Sequence, residues 1–413
     1  MIEPVVKCCA GLDVHRASVV GTVLEEDDEG QVRKETREYG AFRKSLVELG
    51  GWLRKRGVEL AVMESTGVFW KPVYEILEEQ IAKVYLVNAR SVKKVPGRKT
   101  DVLDSEWLAE LARCGLLTPS FIPPKDFREL RFLTRYLLKL IGYMAGEKNR
   151  LHKILDDSGI KLGCVVSDIN GVSAKAMIEA LIEGKMRREE MAKLARGQLR
   201  KKEEALRLSL HGTISDRRRY LLQCIQRHIR WLERQKAEIV RQVVAAMEPY
   251  RREWELVQTI PGFDELSAAM LLAEIGVDMS RFGKSERLTS WAGMCPGNNE
   301  SAGKRLSGRT RKGNKYLRQS LVEVSNSARK TQSQFQSIYQ GLVIRRGHKR
   351  AIMAVGRKLL EVAFVVIHRK EPYRDPKIDY EQMVVLRNAP RWITKLRKYG
   401  YIPVSLTQKS AAA

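Results

Sequence analysis

The pattern of apolar and polar positions divides the chain into a short β/α part and a long helical part. An almost continuous apolar run at residues 5–14 and a β-rich run at 17–24, closed by an acidic turn, predict a hairpin. Further strands are predicted at 32–39, 59–63 and 84–87, with helices at about 42–55 and after Gly67. Strands first, followed by β/α alternation, indicate a mixed sheet flanked by helices.

From about residue 125 to 252 the pattern is almost wholly helical, interrupted by a Gly/Ser/Asp-containing stretch at 156–172. Its clearest part is a seam of alternating three- and four-residue spacings with one lysine: Leu222, Ile225, Ile229, Leu232, Lys236, Ile239 and Val243. This pattern predicts a coiled coil within or between subunits. A long helix packed on its own domain is an equal alternative.

A chain of 413 residues is longer than one hydrophobic core usually organises, so its length alone predicts two or three domains. We predict an α/β domain at 1–124, a helical linker and oligomerisation region at 125–250, a mainly helical domain at 251–345, and a C-terminal helix with a basic tail at 346–413. The helix at 351–368 contains Arg357 and Lys358 and is predicted to be amphipathic.

Charge narrows the class of partner. Lys and Arg number 75 against 49 for Asp and Glu, a formal excess of 26 positive charges, which points to a polyanion and first of all to nucleic acid. No apolar run approaches the roughly 18 residues of a membrane span. The N-terminus lacks a secretory signal and the six cysteines lack CxxC spacing, so we expect a cytoplasmic protein with reduced, structural cysteines.

Four carboxylates form the first candidate site. Asp13 and Glu64 end predicted strands, and Asp101 and Asp104 share one face at a helix start. Each alone is more typical of an ordinary strand end or helix cap, but together they could hold two hard cations beside a phosphodiester. All-oxygen ligands indicate Mg²⁺, with Mn²⁺ as a substitute. His15 is expected to point to the opposite face and to be structural.

A second candidate site lies after residue 255. Pro261 and Gly262 separate two helical patterns and resemble a helix-hairpin-helix, which would contact DNA phosphate, although an ordinary helix connection is nearly as good an interpretation. A Gly/Asn/Ser loop then contains Ser301, with Ser307 an equal candidate from composition alone. The cations expected to contact phosphate are Lys304, Arg305, Arg309, Arg311, Lys312, Lys315 and Arg318.

Taken together, these segments resemble the DEDD transposases of the insertion-sequence 110 group, which are bridge-RNA-guided recombinases. The resemblance covers roughly residues 7–345. It rests on Gly-Leu-Asp-Val-His around Asp13, Glu-Ser-Thr-Gly at Glu64, Lys-Thr-Asp-Val-Leu-Asp ending at Asp104, and the two segments Ile-Pro-Gly-Phe and Asn-Asn-Glu-Ser-Ala-Gly-Lys. The stretch at 159–212 and the tail beyond 371 are longer than the family pattern.

The resemblance implies an RNase H-like (RuvC-like) first domain whose four acids, Asp13, Glu64, Asp101 and Asp104, bind Mg²⁺. It implies a coiled coil and a transposase domain in which Ser301, selected by the resemblance, attacks DNA and forms a phosphoserine. Donor and target DNA, a structured noncoding guide RNA, and a homodimer or tetramer with a composite active site are the implied partners. The implied location is the nucleoid of a bacterial or archaeal cell.

Two other interpretations stay open at this stage. A RuvC-like nuclease would use the four acids with water as the nucleophile, and its products would not be religated. A non-enzymatic protein that bridges DNA or RNA is disfavoured because all four carboxylates are present, and it requires that Asp13→Asn change neither cleavage nor metal dependence.

Overall fold

The computed structural model describes residues 5–27, 29–65, 67–88, 92, 104–297, 299–301, 303–308, 310, 312–377 and 380–402. The chain divides into two compact units, Met1–Lys125 and Asp126–Ala413. The finer division of the second unit into three regions stays a prediction. In the described part of the chain, no helix has the length and apolar character needed to cross a membrane.

A five-stranded sheet forms the centre of the first unit. Its strands are β1 (Cys8–Val14), β2 (Ser18–Glu26), β3 (Val32–Gly40), β4 (Leu60–Glu64) and β5 (Lys83–Val87). They lie in the order β3-β2-β1-β4-β5. The first three are antiparallel neighbours, whereas β4 is parallel to β1 and β5 is parallel to β4. The predicted hairpin and mixed sheet are confirmed, and the arrangement is compatible with an RNase H-like start.

Helices cover both faces of this sheet. Helices α1 (Arg43–Lys55) and α2 (Trp70–Leu77) lie on one face and α3 (Asp104–Arg113) on the other. Because side chains alternate along a strand, the even positions of β1 pack with α1 and α2, while Cys9 packs in the cluster that contains α3. Burial raises the pKa of the Cys8 thiol to about 11 and that of Cys9 to about 12. Both thiols therefore act as protonated packing groups.

The second unit is mostly helical. It begins with α4 (Lys125–Asp157), followed by the short helices α5 (Val172–Glu183), α6 (Arg188–Ala192) and α7 (Glu203–Ser209), and by α8 (Asp216–Met247). Ser215 caps α8 by accepting a hydrogen bond from the Arg218 N–H. The helices between α4 and α8 share one apolar core with the end of α4 and the start of α8.

The apolar seam of α8 is buried within the chain. Leu222 and Ile229 pack in the core of the helices inserted between α4 and α8. Leu232 packs against Leu140 and Met144 of α4. These contacts are those of a long helix packed on its own domain, one of the two alternatives for this pattern. The buried positions are not free to pair with a partner subunit, and a coiled coil is not confirmed.

The remaining helices form the C-terminal part of the second unit. They are α9 (Arg251–Gln258), α10 (Glu265–Ile275), α11 (Ser285–Trp291), α12 (Lys315–Ala328), α13 (Gln334–Arg346), α14 (His348–Arg369) and α15 (Tyr380–Lys398). A small hairpin, β6 (Asn299–Ser301) and β7 (Lys304–Ser307), lies between α11 and α12. Helix α14 contacts α9, α11, α12 and α13, so it belongs to the same core as the region before it.

Candidate functional site

Asp13 and Glu64 lie side by side at one edge of the first unit's sheet. Leu12 of β1 is paired with Met63 of parallel β4, and each acid is the next residue along its strand. Leu60 and Val62 of β4 pack in the cluster that contains α3, so alternation places Glu64 on that same face, as it does Asp13. The sheet therefore brings two of the four predicted acids to adjacent strand ends and one face.

A close approach between β1 and α3 holds the start of that helix on this face. A Cβ at Gly11 would lie 2.0 Å from the Ser105 carbonyl oxygen and 2.5 Å from the Ala109 nitrogen, so only glycine permits the observed packing. The Ser105 hydroxyl lies 2.8 Å from that of Thr22 on β2, and the Cys9 thiol donates to the Ala109 carbonyl. These contacts fix α3, which begins at Asp104, against the face of the sheet that carries Asp13.

His15 corrects one sequence-based expectation. Its Nε2 lies 3.0 Å from Oδ2 of Asp13, so it does not point away from the carboxylates. The expectation was wrong because residues two apart in a strand share a face, and because β1 ends at Val14. The imidazole, 62% exposed, can hold the Asp13 carboxylate in one orientation.

The metal-binding set is incomplete among the residues that the structure describes. Asp101 lies outside them, and within them no group of three or more His, Cys, Asp or Glu side chains is placed to hold a metal ion. Asp13, Glu64 and Asp104 are all described and do not form such a group. What the structure supplies is Asp13 and Glu64 on one face, with α3, which begins at Asp104, packed on that face. Their oxygen donors suit Mg²⁺. The metal site with Asp101 stays a prediction.

The second candidate site is the β6–β7 hairpin. Ser301 pairs with Lys304, and Gly303 has a φ of 73°, which favours glycine. Ser307 pairs with Asn299 at the open end. The backbone thus places Ser301 at the tip and Ser307 at the base, a difference that composition could not provide. Arg309 and Arg311 lie outside the described residues.

Both ends of the segment that carries this hairpin are anchored. On the N-terminal side, Met294 is 2% exposed. On the C-terminal side, a Cβ at Gly313 would lie 2.4 Å from the Ala292 carbonyl oxygen and 2.4 Å from the Gly293 nitrogen. The segment therefore returns to its own starting point, and Gly313 is needed for that closure. A Gly within a basic run was the only sequence signal for this contact.

The predicted phosphate contacts have different surroundings. Lys312 and Lys315 are exposed and Arg318 is half-buried. Lys315 Nζ lies 4.9 Å from the centre of the Tyr316 ring. Their position at the start of α12 also places the positive end of a helix dipole next to these cations. For Lys304 and Arg305 the structure gives a backbone position in β7.

Close packing against α12 requires a glycine at position 262. Its φ is 96°, and a Cβ there would lie 2.7 Å from the Val324 carbonyl oxygen of α12. The start of α10 is closed by a capping box in which Asp264 accepts from the Ser267 N–H at 2.8 Å. A carboxylate at this helix start opposes an incoming phosphate. The ordinary helix connection accounts for both observations, and DNA contact by Gly262 stays a prediction.

Comparison with known proteins gives three matches. Residues 10–159 match the family model DEDD_Tnp_IS110, described as a transposase. Residues 254–340 match a second model, described as the transposase IS116/IS110/IS902 family. The transposase for insertion sequence element IS1111A of Coxiella burnetii is 30% identical over 134 residues, which cover 31% of this chain. The match spans 36% of that relative's length.

Proposed function

Because this chain belongs to the IS110 family of transposases, we propose that it cuts and rejoins DNA through a phosphoserine formed on Ser301. The observation that carries this proposal is the common placement of Asp13, Glu64 and the α3 start on one face of the sheet. It is joined by the position of Ser301 at the tip of an anchored hairpin. The first feature suits charge stabilisation and the second suits a nucleophile.

The chemistry balances without an external energy source. The Ser301 hydroxyl oxygen attacks a DNA phosphorus, a new Oγ–P bond forms, and the bond from phosphorus to the 3′ oxygen breaks. The proton lost by serine is matched by the one gained by the released 3′ hydroxyl. In the second step another 3′ hydroxyl attacks the phosphoserine and restores the serine. The bond energy is conserved, so strands can be exchanged and rejoined.

Asp13, Glu64, Asp101 and Asp104 would hold Mg²⁺, or Mn²⁺ in its place, which would supply positive charge to the scissile phosphate. The residues of the chain would position the carboxylates that hold the metal. Asp13 and Glu64 present their carboxylates from adjacent strand ends, and Gly11 lets α3, which begins at Asp104, pack closely on the same face. His15 orients the Asp13 carboxylate.

We extend the proposal to the partners of this reaction. The excess of 26 positive charges suits donor and target DNA together with a structured guide RNA that would pair with both. A dimer or tetramer would join the first unit of one subunit to the serine hairpin of another in a composite site. These partners would place the protein at the nucleoid of a bacterial or archaeal cell.

Adduct trapping tests the proposal. Protein, guide RNA and labelled DNA are incubated with Mg²⁺, denatured and separated by size. We expect a covalent protein–DNA species that Ser301→Ala abolishes and that the matched variant Ser307→Ala retains. Removal of Mg²⁺ by a chelator should also abolish it. An adduct that survives Ser301→Ala would remove this serine from its role.

A RuvC-like nuclease is the second candidate, favoured by the fact that the carboxylate face lies wholly within the first unit. In that case water is the nucleophile and no protein–DNA bond forms. The products distinguish the two functions. Religated recombinant strands support the serine mechanism, whereas nicked or hydrolysed DNA without an adduct supports the nuclease.

A further inference from the structure

Glu274 of α10 is a buried carboxylate that the proposed mechanism does not use. Its side chain is 3% exposed. Arg135 of α4 binds it with two parallel hydrogen bonds of 2.8 Å each. Arg131 lies 3.2 Å from its Oε2 and also donates to the Ala273 carbonyl oxygen. Two guanidinium groups thus converge on one carboxylate inside the second unit.

The same carboxylate accepts a hydrogen bond from Asn314. The Asn314 Nδ2 donates to Oε2 of Glu274 at 2.6 Å. The other amide atom, Oδ1, accepts from the backbone N–H groups of Tyr316 and Leu317, so Asn314 is the N-cap of α12. One side chain therefore joins the buried charges to the first turn of the helix that carries Lys315 and Arg318.

Asn314 also stands next to the closure of the serine-bearing segment. Its neighbour Gly313 packs against the Ala292 and Gly293 backbone, where that segment begins. The Arg135 guanidinium lies 4.4 Å from the Tyr316 ring centre, on the same first turn of α12. A shift of Asn314 would therefore move both the end of the hairpin segment and the start of α12.

Burial makes this cluster sensitive to the loss of one partner. Desolvation lowers the pKa of Arg131 to about 10, the direction expected when a cation leaves water. Buried charge clusters are a poor source of net stability, because desolvation offsets attraction, but they fix one geometry when every group is paired. A cluster of this kind is suited to holding the chain segments attached to it in one position.

We propose that Glu274 is a positioning residue for the serine hairpin. Through Asn314 it sets the closure at Gly313 and the direction of the first turn of α12. It thereby fixes the hairpin tip and the adjacent cations relative to each other. This inference rests on the proposed function, in which Ser301 at that tip attacks DNA.

Loss of the Glu274–Asn314 hydrogen bond at constant total charge tests the proposal. In Asn314→Asp the helix cap is kept but two carboxylate oxygens meet, whereas in Glu274→Gln the carboxylate charge is lost. The double variant preserves the total charge but does not restore the hydrogen bond, because a glutamine Nε2 turned toward residue 314 would face the Arg135 and Arg131 donors. The cleavage rate in a single turnover at saturating DNA, the DNA affinity and the thermal midpoint are measured for all four proteins.

We expect Asn314→Asp to slow cleavage by about a hundredfold, as displacement of a reacting group by about 1 Å can do. The double variant should stay at least about tenfold slower than the wild type although the total charge is unchanged, with DNA affinity nearly constant. A double variant that cleaves at the wild-type rate would overturn the proposal, because it lacks this hydrogen bond. So would rate losses that follow the thermal midpoint alone, because these would show a merely structural role.

Asn314→Ser covers the case in which Asn314→Asp does not fold. Serine keeps the helix cap but has no amide to donate to Glu274, so cleavage should slow by about tenfold at unchanged DNA affinity. An unchanged cleavage rate would overturn the proposal. Failure of this inference and failure of the proposed function give different results. If no phosphoserine is trapped but Asn314→Ser still slows cleavage, the proposed function fails, whereas the dependence of cleavage on the Glu274–Asn314 hydrogen bond stands.

Discussion

The two units hold their candidate reactive groups in different ways. In the first, Asp13 and Glu64 end neighbouring strands, and backbone pairing fixes their separation. In the second, Ser301 stands at the tip of a hairpin whose strands have three and four residues, and the segment around it is fixed at its base by Met294, Gly313 and Asn314. Regular structure orients the acids, whereas local packing and a buried polar cluster orient the serine.

This difference suits the proposed division of chemical tasks. Groups that hold a metal need nearly constant mutual distances, which a sheet provides. A nucleophile that forms and releases a bond to DNA must reach outside the protein core. We therefore expect substitutions in the first unit to act through charge and sheet packing, and those in the second to act through the position of the hairpin.

The largest effect should come from removing the charge at a strand end. Asp13→Asn keeps the size of the side chain but not its negative charge, and we expect strand cleavage in Mg²⁺ to fall at least about a hundredfold. Glu48→Gln is the matched control, because Glu48 is an exposed acid on α1. Wild-type cleavage by Asp13→Asn would show that the acids are not a catalytic metal site.

Sheet packing is tested by Gly11→Ala. The new Cβ would meet the backbone of α3, so we expect a loss of roughly 1–3 kcal/mol in the free energy of unfolding, measured with urea. Gly51→Ala on α1 is the control, since no atom lies within 4 Å of its Cβ position, and alanine there should stabilise by about 0.5–1 kcal/mol. Equal effects of the two changes would contradict the close approach of α3.

The exposed cations at the start of α12 should affect affinity more than chemistry. Lys312→Ala and Lys315→Ala should each weaken DNA binding and reduce the slope of log affinity against log salt by roughly one. Cleavage at saturating DNA should stay close to that of the wild type. Lys193→Ala, which removes an exposed cation elsewhere in the second unit, serves as the control. An unchanged salt slope would argue against phosphate contact.

The smallest effect is expected for His15→Ala. The imidazole is exposed, so its interaction with Asp13 is weakened by solvent, and we expect a decrease of about twofold to fivefold in the cleavage rate. His211→Ala, at another exposed histidine, should have no effect. A loss as large as that of Asp13→Asn would instead give His15 a direct part in the reaction.

Much of the first unit could be predicted because its signals are local. Apolar runs and the acidic turn identified β1, β2 and the hairpin, and strand ends identified Asp13 and Glu64. The packing that orients them was not predictable, because Gly11 meets α3 more than ninety residues further along the chain. The error at His15 came from assigning alternate faces to residues two apart.

In the second unit, helical periodicity predicted the long helices but not what each apolar face packs against. The seam of α8 fits a coiled coil and a domain core equally well, and its periodicity does not reveal that Leu232 packs against α4 of the same chain. The link from Glu274 to Asn314 spans forty residues. Neither residue stands out in the sequence, because buried carboxylates and N-cap asparagines have no periodic pattern.

The central claim is that Ser301, at the hairpin tip, becomes bonded to DNA. Digestion with trypsin separates Ser301 from Ser307, the alternative serine. Cleavage after Arg287, Lys304 and Arg309 places the two serines in different peptides. Mass spectrometry of the nuclease-trimmed adduct should locate a nucleotide on Ser301 of the 288–304 peptide, with fragmentation to distinguish it from Ser290. A nucleotide on Ser307, or cleaved DNA with no modified serine, would contradict the account.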